Sequence, residues 1–247
     1  MRRRKAPRRI APGAVFTALI VLAIIAGLVY LALNQWVFVV RNVVVNGNGD
    51  IPAEEVIRLS HIPMGGKLGK IDAEQLAHQI ESDGRIAFES LEVDYPNTAI
   101  INVRKRTHDA ITLQGSKILV MDSDGYVISV HDQVPAESAP YVTHLKISAY
   151  TIGRQIDAEP DRLAGMKAVT EAVKALGAAP YVSEINVDDP KHLQIISRTG
   201  IYVQLGDHTN MENKINWMVG ALRDLESRGQ TSGVLDVASG TKADFAG

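Results

Sequence analysis

The chain is 247 residues long, has no cysteine, and carries 26 Lys and Arg against 28 Asp and Glu, a formal net charge of −2. The missing cysteine excludes a disulfide framework, a lipid-modified cysteine anchor and thiolate metal sites. The charge is uneven: six cations lie in the first nine residues, leaving 20 against 28 acids, about −8, and so acidic a body argues against nucleic-acid binding, which requires a basic patch.

The first segment, residues 1–13, is a basic tail containing Arg2, Arg3, Arg4, Lys5, Arg8 and Arg9. Residues 14–34 are predicted to form a transmembrane helix, since no charged residue occurs between Ala14 and Leu33. At ~1.5 Å per residue, that stretch matches the ~30 Å hydrocarbon core of a bilayer. A Lys- and Arg-rich flank stays on the cytoplasmic side, where it meets anionic lipid, so the remainder is expected to be extracytoplasmic. The alternative is a cleaved leader with a soluble, secreted product. Leaders have apolar cores of ~7–15 residues and a small-x-small cleavage site. Here the apolar run ends Tyr30-Leu31-Ala32-Leu33-Asn34-Gln35-Trp36, with no such site, and Tyr30 and Trp36 suit the membrane interface.

Residues 37–106 form the first soluble block. Val39, Val40, Val43, Val44 and Val45 predict a strand, stopped by Asn46-Gly47-Asn48-Gly49. Pro52 suits the first turn of a short helix carrying Val56, Ile57 and Leu59, and Gly65-Gly66 breaks the chain again. Asp72-x-x-Gln75 has the form of a capping box, followed at helical spacing by Leu76, Ala77 and Ile80. Leu91, Val93 and Tyr95 alternate on one strand, Ile101 and Val103 on the next, around the turn Tyr95-Pro96-Asn97-Thr98. The order strand, helix, helix, strand, strand implies an α+β unit with both helices on one sheet face.

The second block, residues 107–240, is rich in strands and has two helices; its abrupt junction at Thr107–Asp109 implies that the two blocks touch. Strands are expected at Ala110–Gln114, Ile118–Met121 and Tyr126–Val130, the last two joined by the turn Asp122-Ser123-Asp124-Gly125. Asp132–Pro140 reads as a loop. A helix over Asp161–Leu176 carries Leu163, Met166, Val173 and Leu176, with Gly177 as its stop. Strands follow at Val182–Val187, His192–Ile196 and Ile201–Leu205. The helix Met211–Leu225 has Ile215, Met218, Val219, Leu222 and Leu225 on its buried stripe. A strand over Val234–Val237 closes the block. Residues 241–247 are either a frayed tail or, over Thr241–Phe245, an edge strand with Phe245 as an exposed apolar anchor. Such an edge has unpaired backbone groups that can template a partner strand.

Chemical motifs are sparse. The seven histidines form neither H-x-H nor H-E-x-x-H, so the residues give no support for a metal site. Asp122-x-Asp124-Gly125 lacks the further ligands of a calcium loop. No G-x-S-x-G elbow or phosphate-cradling G-K-[ST] is present, and no catalytic residue or cofactor is expected. The chain is read as a non-enzyme.

Several segments resemble the FtsQ/DivIB family of cell-division proteins. Phe38-Val39-Val40-Arg41-Asn42-Val43-Val44-Val45-Asn46-Gly47 is similar to the family's entry into a POTRA domain, and Tyr95-Pro96-Asn97-Thr98 with Ile101 and Val103 to its closing hairpin. Leu119-Val120-Met121-Asp122-x-Asp124-Gly125-Tyr126-Val127-Ile128, Val203-x-Leu205-Gly206 with Lys214-Ile215, and Leu235-Asp236-Val237 fit the second domain. The junction Arg106-Thr107-His108-Asp109 departs from the family pattern in lacking a proline. The resemblance implies a non-enzymatic divisome scaffold in the cell membrane at the septum. Its partners would be FtsL-like and FtsB/DivIC-like single-span coiled-coil proteins, and through them it would influence the septal peptidoglycan synthase. It further implies that a partner adds a strand at the C-terminal edge. Carried onto this chain, that surface comprises Met211, Lys214 and Met218 of the late helix with Val234, Asp236, Val237, Ala243 and Phe245. The alternatives are an anchored extracytoplasmic cell-wall enzyme and another POTRA-type envelope assembly protein.

Overall fold

The computed structural model describes residues 12–32, 37–135 and 139–247. The basic tail up to residue 11, Leu33, Trp36 and residues 136–138 of the expected loop lie outside the described residues. Helix α1 (Pro12–Ala32) is uninterrupted over 21 residues. Val15–Ala32 is long and apolar enough to cross a membrane, and its large side chains are exposed on every side. A helix apolar all round needs lipid or protein about it.

The first soluble unit has the expected order: β1 (Asn42–Asn46), α2 (Ala53–Ser60), α3 (Ala73–Ile80), β2 (Ile86–Asp94) and β3 (Thr98–Lys105). The sheet order is β1-β3-β2, with β1 parallel to the central β3 and β2 antiparallel to it. Asp72 caps α3 by accepting from the amides of Glu74 and Gln75, which satisfies two otherwise orphaned donors. Val56, Leu76 and Ile80 pack from the helices onto Ile86, Ile101 and Val103 of the sheet.

Three details differ from the sequence reading. The ladder of β1 starts at Asn42. Val39 instead bridges Lys67, and Val40 exchanges hydrogen bonds with Gly65 and Gly66 at 2.8 Å. Pro52 is the N-cap of α2, one position before its first turn. Tyr95 lies beyond the end of β2, exposed, and meets the Phe38 ring edge-on at 5.4 Å between centroids.

The second unit is a nine-stranded sheet ordered β12-β11-β10-β9-β8-β7-β4-β5-β6. Its strands are β4 (Ala110–Gln114), β5 (Lys117–Met121), β6 (Val127–His131), β7 (Tyr141–Thr143), β8 (Val182–Asn186), β9 (Leu193–Ser197), β10 (Tyr202–Gly206), β11 (Val234–Asp236) and β12 (Asp244–Ala246). Helices α4 (Pro160–Ala175) and α5 (Met211–Ser227) pack beside one another over it. Met166, Val169, Ile215, Met218 and Leu222 meet Leu119, Ile185, Ile195, Val203 and Leu235 in the core. Strand β7 follows the expected loop and has only three residues, too few for a periodic pattern. Leu176, read as part of the α4 stripe, is exposed at that helix's C-cap.

The two units touch through Arg106, at the end of β3. Its buried guanidinium donates to Asp122 Oδ2 at 2.7 Å and to Glu81 Oε1 at 3.2 Å, and lies 4.0 Å above the Tyr126 ring. Asp122 is held by the amides of Asp124 and Tyr126. The backbones approach closely here. Gly153 sits at φ 77°, and a Cβ on it would lie 1.7 Å from the Glu81 carbonyl oxygen. Arg154 contacts His78 across the same interface.

Removing one member of a buried ionic group strands the others without a counter-charge. Arg106→Met is therefore expected to destabilise the full chain in detergent by about 3–5 kcal/mol in urea unfolding followed by circular dichroism. A loss below about 1 kcal/mol, the range of exposed ion pairs, would mean that Arg106 does not hold the units together.

Candidate functional site

Backbone pairing sets up the C-terminal end of the large sheet. Parallel β10 and β11 align Tyr202 with Val234 and Gln204 with Asp236; antiparallel β11 and β12 align Val234 with Ala246, Leu235 with Phe245 and Asp236 with Asp244. Tyr202 donates to the Gly233 carbonyl and Val237 to the Gln204 carbonyl, so the odd-numbered groups of β11 face β10. Strand alternation then turns Val234 and Asp236 toward β12, where they meet Ala246 and Asp244. The amide and carbonyl of Phe245 consequently point away from the sheet, along its last edge.

The opposite edge is covered where it begins. Along β6, Val127 donates to the Arg154 carbonyl at 2.9 Å and accepts from Gly153 at 2.8 Å, while the Ile128 carbonyl lies against Gly84 of the first unit. At β12, no backbone hydrogen bond from another segment among the described residues meets the outward groups of Phe245.

Phe245 shares the helix-side face with Leu235 and packs across Gly233, where a Cβ would come within 2.6 Å of its ring. It remains 36% exposed. The outer face carries a cross-strand row of Ile196, Tyr202, Val234 and Ala246, in which Tyr202 is 54% exposed. Beside it runs a polar row of Gln194, Gln204, Asp236 and Asp244. Lys242 pairs with Asp244 at 2.5 Å, which pushes the Lys242 ammonium up from its ordinary value.

The eight residues singled out from the sequence divide into two groups. Val234, Asp236 and Phe245 are exposed at the edge, with Ala243 half-buried beside them. Met211, Lys214, Met218 and Val237 are buried, those on α5 because that face of the helix is laid on its own sheet. Lys214 is only 2% exposed, and its Nζ donates to the Asp207 carbonyl at 2.8 Å and to Asp207 Oδ1 at 3.1 Å. Hydrogen bonds from the Thr209 hydroxyl and amide, then from Lys214, hold the Asp207 carboxyl well below the usual carboxylate range. The sequence reading missed Tyr202 and Trp217. The signal for Trp217 was its place off the apolar stripe of α5, which leaves it 44% exposed; the signal for Tyr202 was strand alternation with the buried Val203.

Comparison with known proteins agrees with this architecture. A model of the POTRA domain of FtsQ type matches residues 38–106, and one of the C-terminal region of cell division protein FtsQ/DivIB matches residues 110–238. The chain is 23% identical over 217 residues to a cell division protein DivIB of Clostridium tetani, covering 87% of this chain and 82% of that protein. It is 26% identical over 200 residues to a cell division protein FtsQ of Syntrophotalea carbinolica, covering 77% of this chain and 67% of the relative.

The seat of Phe245 on Gly233 generates a prediction. Gly233→Ala places a methyl group into the ring at a residue whose φ is 132°, so β12 is expected to lift from β11 while β9 and β10 remain paired. Amide exchange at Asp244 and Ala246 should accelerate about tenfold or more, with no change at Ile195. Unchanged exchange at Asp244 and Ala246 would mean that Gly233 does not set the edge.

Proposed function

The chain belongs to the FtsQ/DivIB family of cell-division proteins, and from that premise we propose a membrane-anchored scaffold that acts without catalysis and binds its partner by strand addition at β12. The observation that carries this reading is the β12 edge, whose Phe245 amide and carbonyl point away from the sheet. Main-chain hydrogen bonds from Phe245 supply affinity, and the row Ile196, Tyr202 and Val234 supplies side-chain selectivity. The partners are FtsL-like and FtsB/DivIC-like single-span coiled-coil proteins, through which the scaffold influences septal peptidoglycan synthesis. The basic residues before α1 support a cytoplasmic N-terminus and an extracytoplasmic body at the division septum.

Sheet order gives the partner a length requirement. Eight interstrand steps separate β12 from β6, the strand lying against the first domain. At ~4.8 Å per step, that is roughly 38 Å along the sheet. A partner anchored in the same membrane reaches this edge through a rod of roughly 25 helical residues or more. Sharing a membrane raises the effective concentration of both proteins, so a three-residue strand suffices as a docking edge.

Paired variants test the edge directly. Phe245→Ala removes the ring alone, whereas Phe245→Pro also removes the outward N–H. Phe245→Pro is expected to lower capture of the FtsB/DivIC-like partner about tenfold relative to Phe245→Ala in co-purification from membranes. Equal capture by the two variants would eliminate strand addition at β12.

A further inference from the structure

A second surface lies where the chain enters the first domain. The segment Phe38–Arg41 is clasped on both sides. Leu68 donates to the Phe38 carbonyl at 3.2 Å, Val40 donates to Gly66 and Gly65 to Val40, while Arg41 donates to the Asn97 carbonyl at 2.8 Å. The loop Pro63–Lys70 and the turn Tyr95–Asn97 are therefore fixed beside the first residues after the membrane helix. Only residues 33–36 separate Ala32 from Val37. At ~3.6 Å per residue, this link spans at most roughly 18 Å, so the pole is confined to the immediate vicinity of the bilayer face from which α1 emerges.

The composition of this pole fits that position. Tyr95 is 66% exposed and Met64 62% exposed, and together with Leu113 they are the most exposed large apolar side chains described beyond α1. Lys67 and Lys70 flank them, and no carboxylate pairs with either among the described residues. Both lysines line a groove of about 400 Å³ with His61 and Gln75. Two acids are near: the Asp72 carboxylate is occupied by the amides of Glu74 and Gln75, and Asp94 precedes Tyr95. Apolar and aromatic tips interleaved with cations are the composition of a surface that settles among lipid headgroups.

We propose that this pole is a second, peripheral membrane contact, with Met64 and Tyr95 among the headgroups and Lys67 and Lys70 on the phosphates of anionic lipid. The contact rests on the reading of α1 as a membrane span. It converts a single-point tether into a two-point attachment that fixes the orientation of the first domain over the bilayer.

The absence of cysteine makes single-site labelling direct. An environment-sensitive fluorophore is attached at Met64→Cys, at Ala23→Cys within α1, and at Gln230→Cys at the far end of the large sheet. Each full-length variant is placed in nanodiscs of phosphatidylglycerol and phosphatidylcholine containing lipid with a nitroxide in the headgroup region. Quenching at Met64→Cys is expected to exceed that at Gln230→Cys about threefold or more. Adding Lys67→Glu and Lys70→Glu should reduce the docked population about tenfold, as should omission of phosphatidylglycerol. Quenching at Met64→Cys equal to that at Gln230→Cys, or insensitive to charge reversal, overturns the proposal. The label at Ala23→Cys, read with acyl-chain nitroxides, separates the two failures: if it is not quenched, the span itself is wrong; if it is, the peripheral contact alone is wrong.

Discussion

The arrangement of this molecule depends on one buried cation. Arg106 directly follows β3, yet its counter-charges come from α3's C-terminal end and from the β5–β6 turn. Burying a guanidinium is costly unless its donors are met. Glu81 meets it from within the first unit, whereas Asp122 and the Tyr126 ring meet it only when both units are docked in this orientation. One donor, Nε, remains unmatched, so the site tolerates little further loss. The close backbone contact at Gly153 leaves no room for an intervening side chain. A buried ion group is weak evidence for stability by itself, but it is selective about geometry, and geometry is what a scaffold must hold.

The same interface covers the start of one edge of the large sheet. Exposed strand edges invite unwanted pairing, and proteins usually cover or blunt them. Docking on the first unit, together with the segment around Gly153 and Arg154, occupies the backbone groups at the start of β6. At the other end β12 is three residues long, and Lys242, Asp244 and Asp236 sit on or beside it. Short length and charge restrain indiscriminate pairing while leaving the outward groups of Phe245 free for a strand held nearby.

Much of the fold was legible because it rests on local patterns. The βααββ order followed from alternation, glycine breaks and the Asp72 cap. The paired strands around Asp122–Gly125 and the stripes of α4 and α5 followed from periodicity. What escaped was set by distant partners. The resemblance, not the periodicity, placed Met211, Lys214 and Met218 on a partner surface, and the stripe alone does not reveal that they lie buried against the chain's own sheet. The burial of Lys214 was not legible because its acceptor, the Asp207 carbonyl, is presented by a turn before the helix. Val39 and Val40 have the composition of a strand, but the Pro63–Lys67 loop competes for their backbone groups. The role of Arg106 was invisible because its acceptors lie 16 and 25 residues away and belong to different units.

These constraints combine into a mechanical argument. A single membrane helix alone leaves the domain beyond it free to swivel, so an edge roughly 38 Å along the sheet would sweep a wide volume. Docking the chain-entry pole on the bilayer removes the swivel of the first domain, and the Arg106 group transmits that restraint to the second. On the proposed function, the β12 edge is then presented in a fixed direction and at a fixed height, where a partner rising from the same membrane would meet it without a search over orientations. Effective concentration depends on such restriction of volume. A three-residue strand is therefore adequate on this scaffold although it would be too weak as a docking site on a freely tumbling domain.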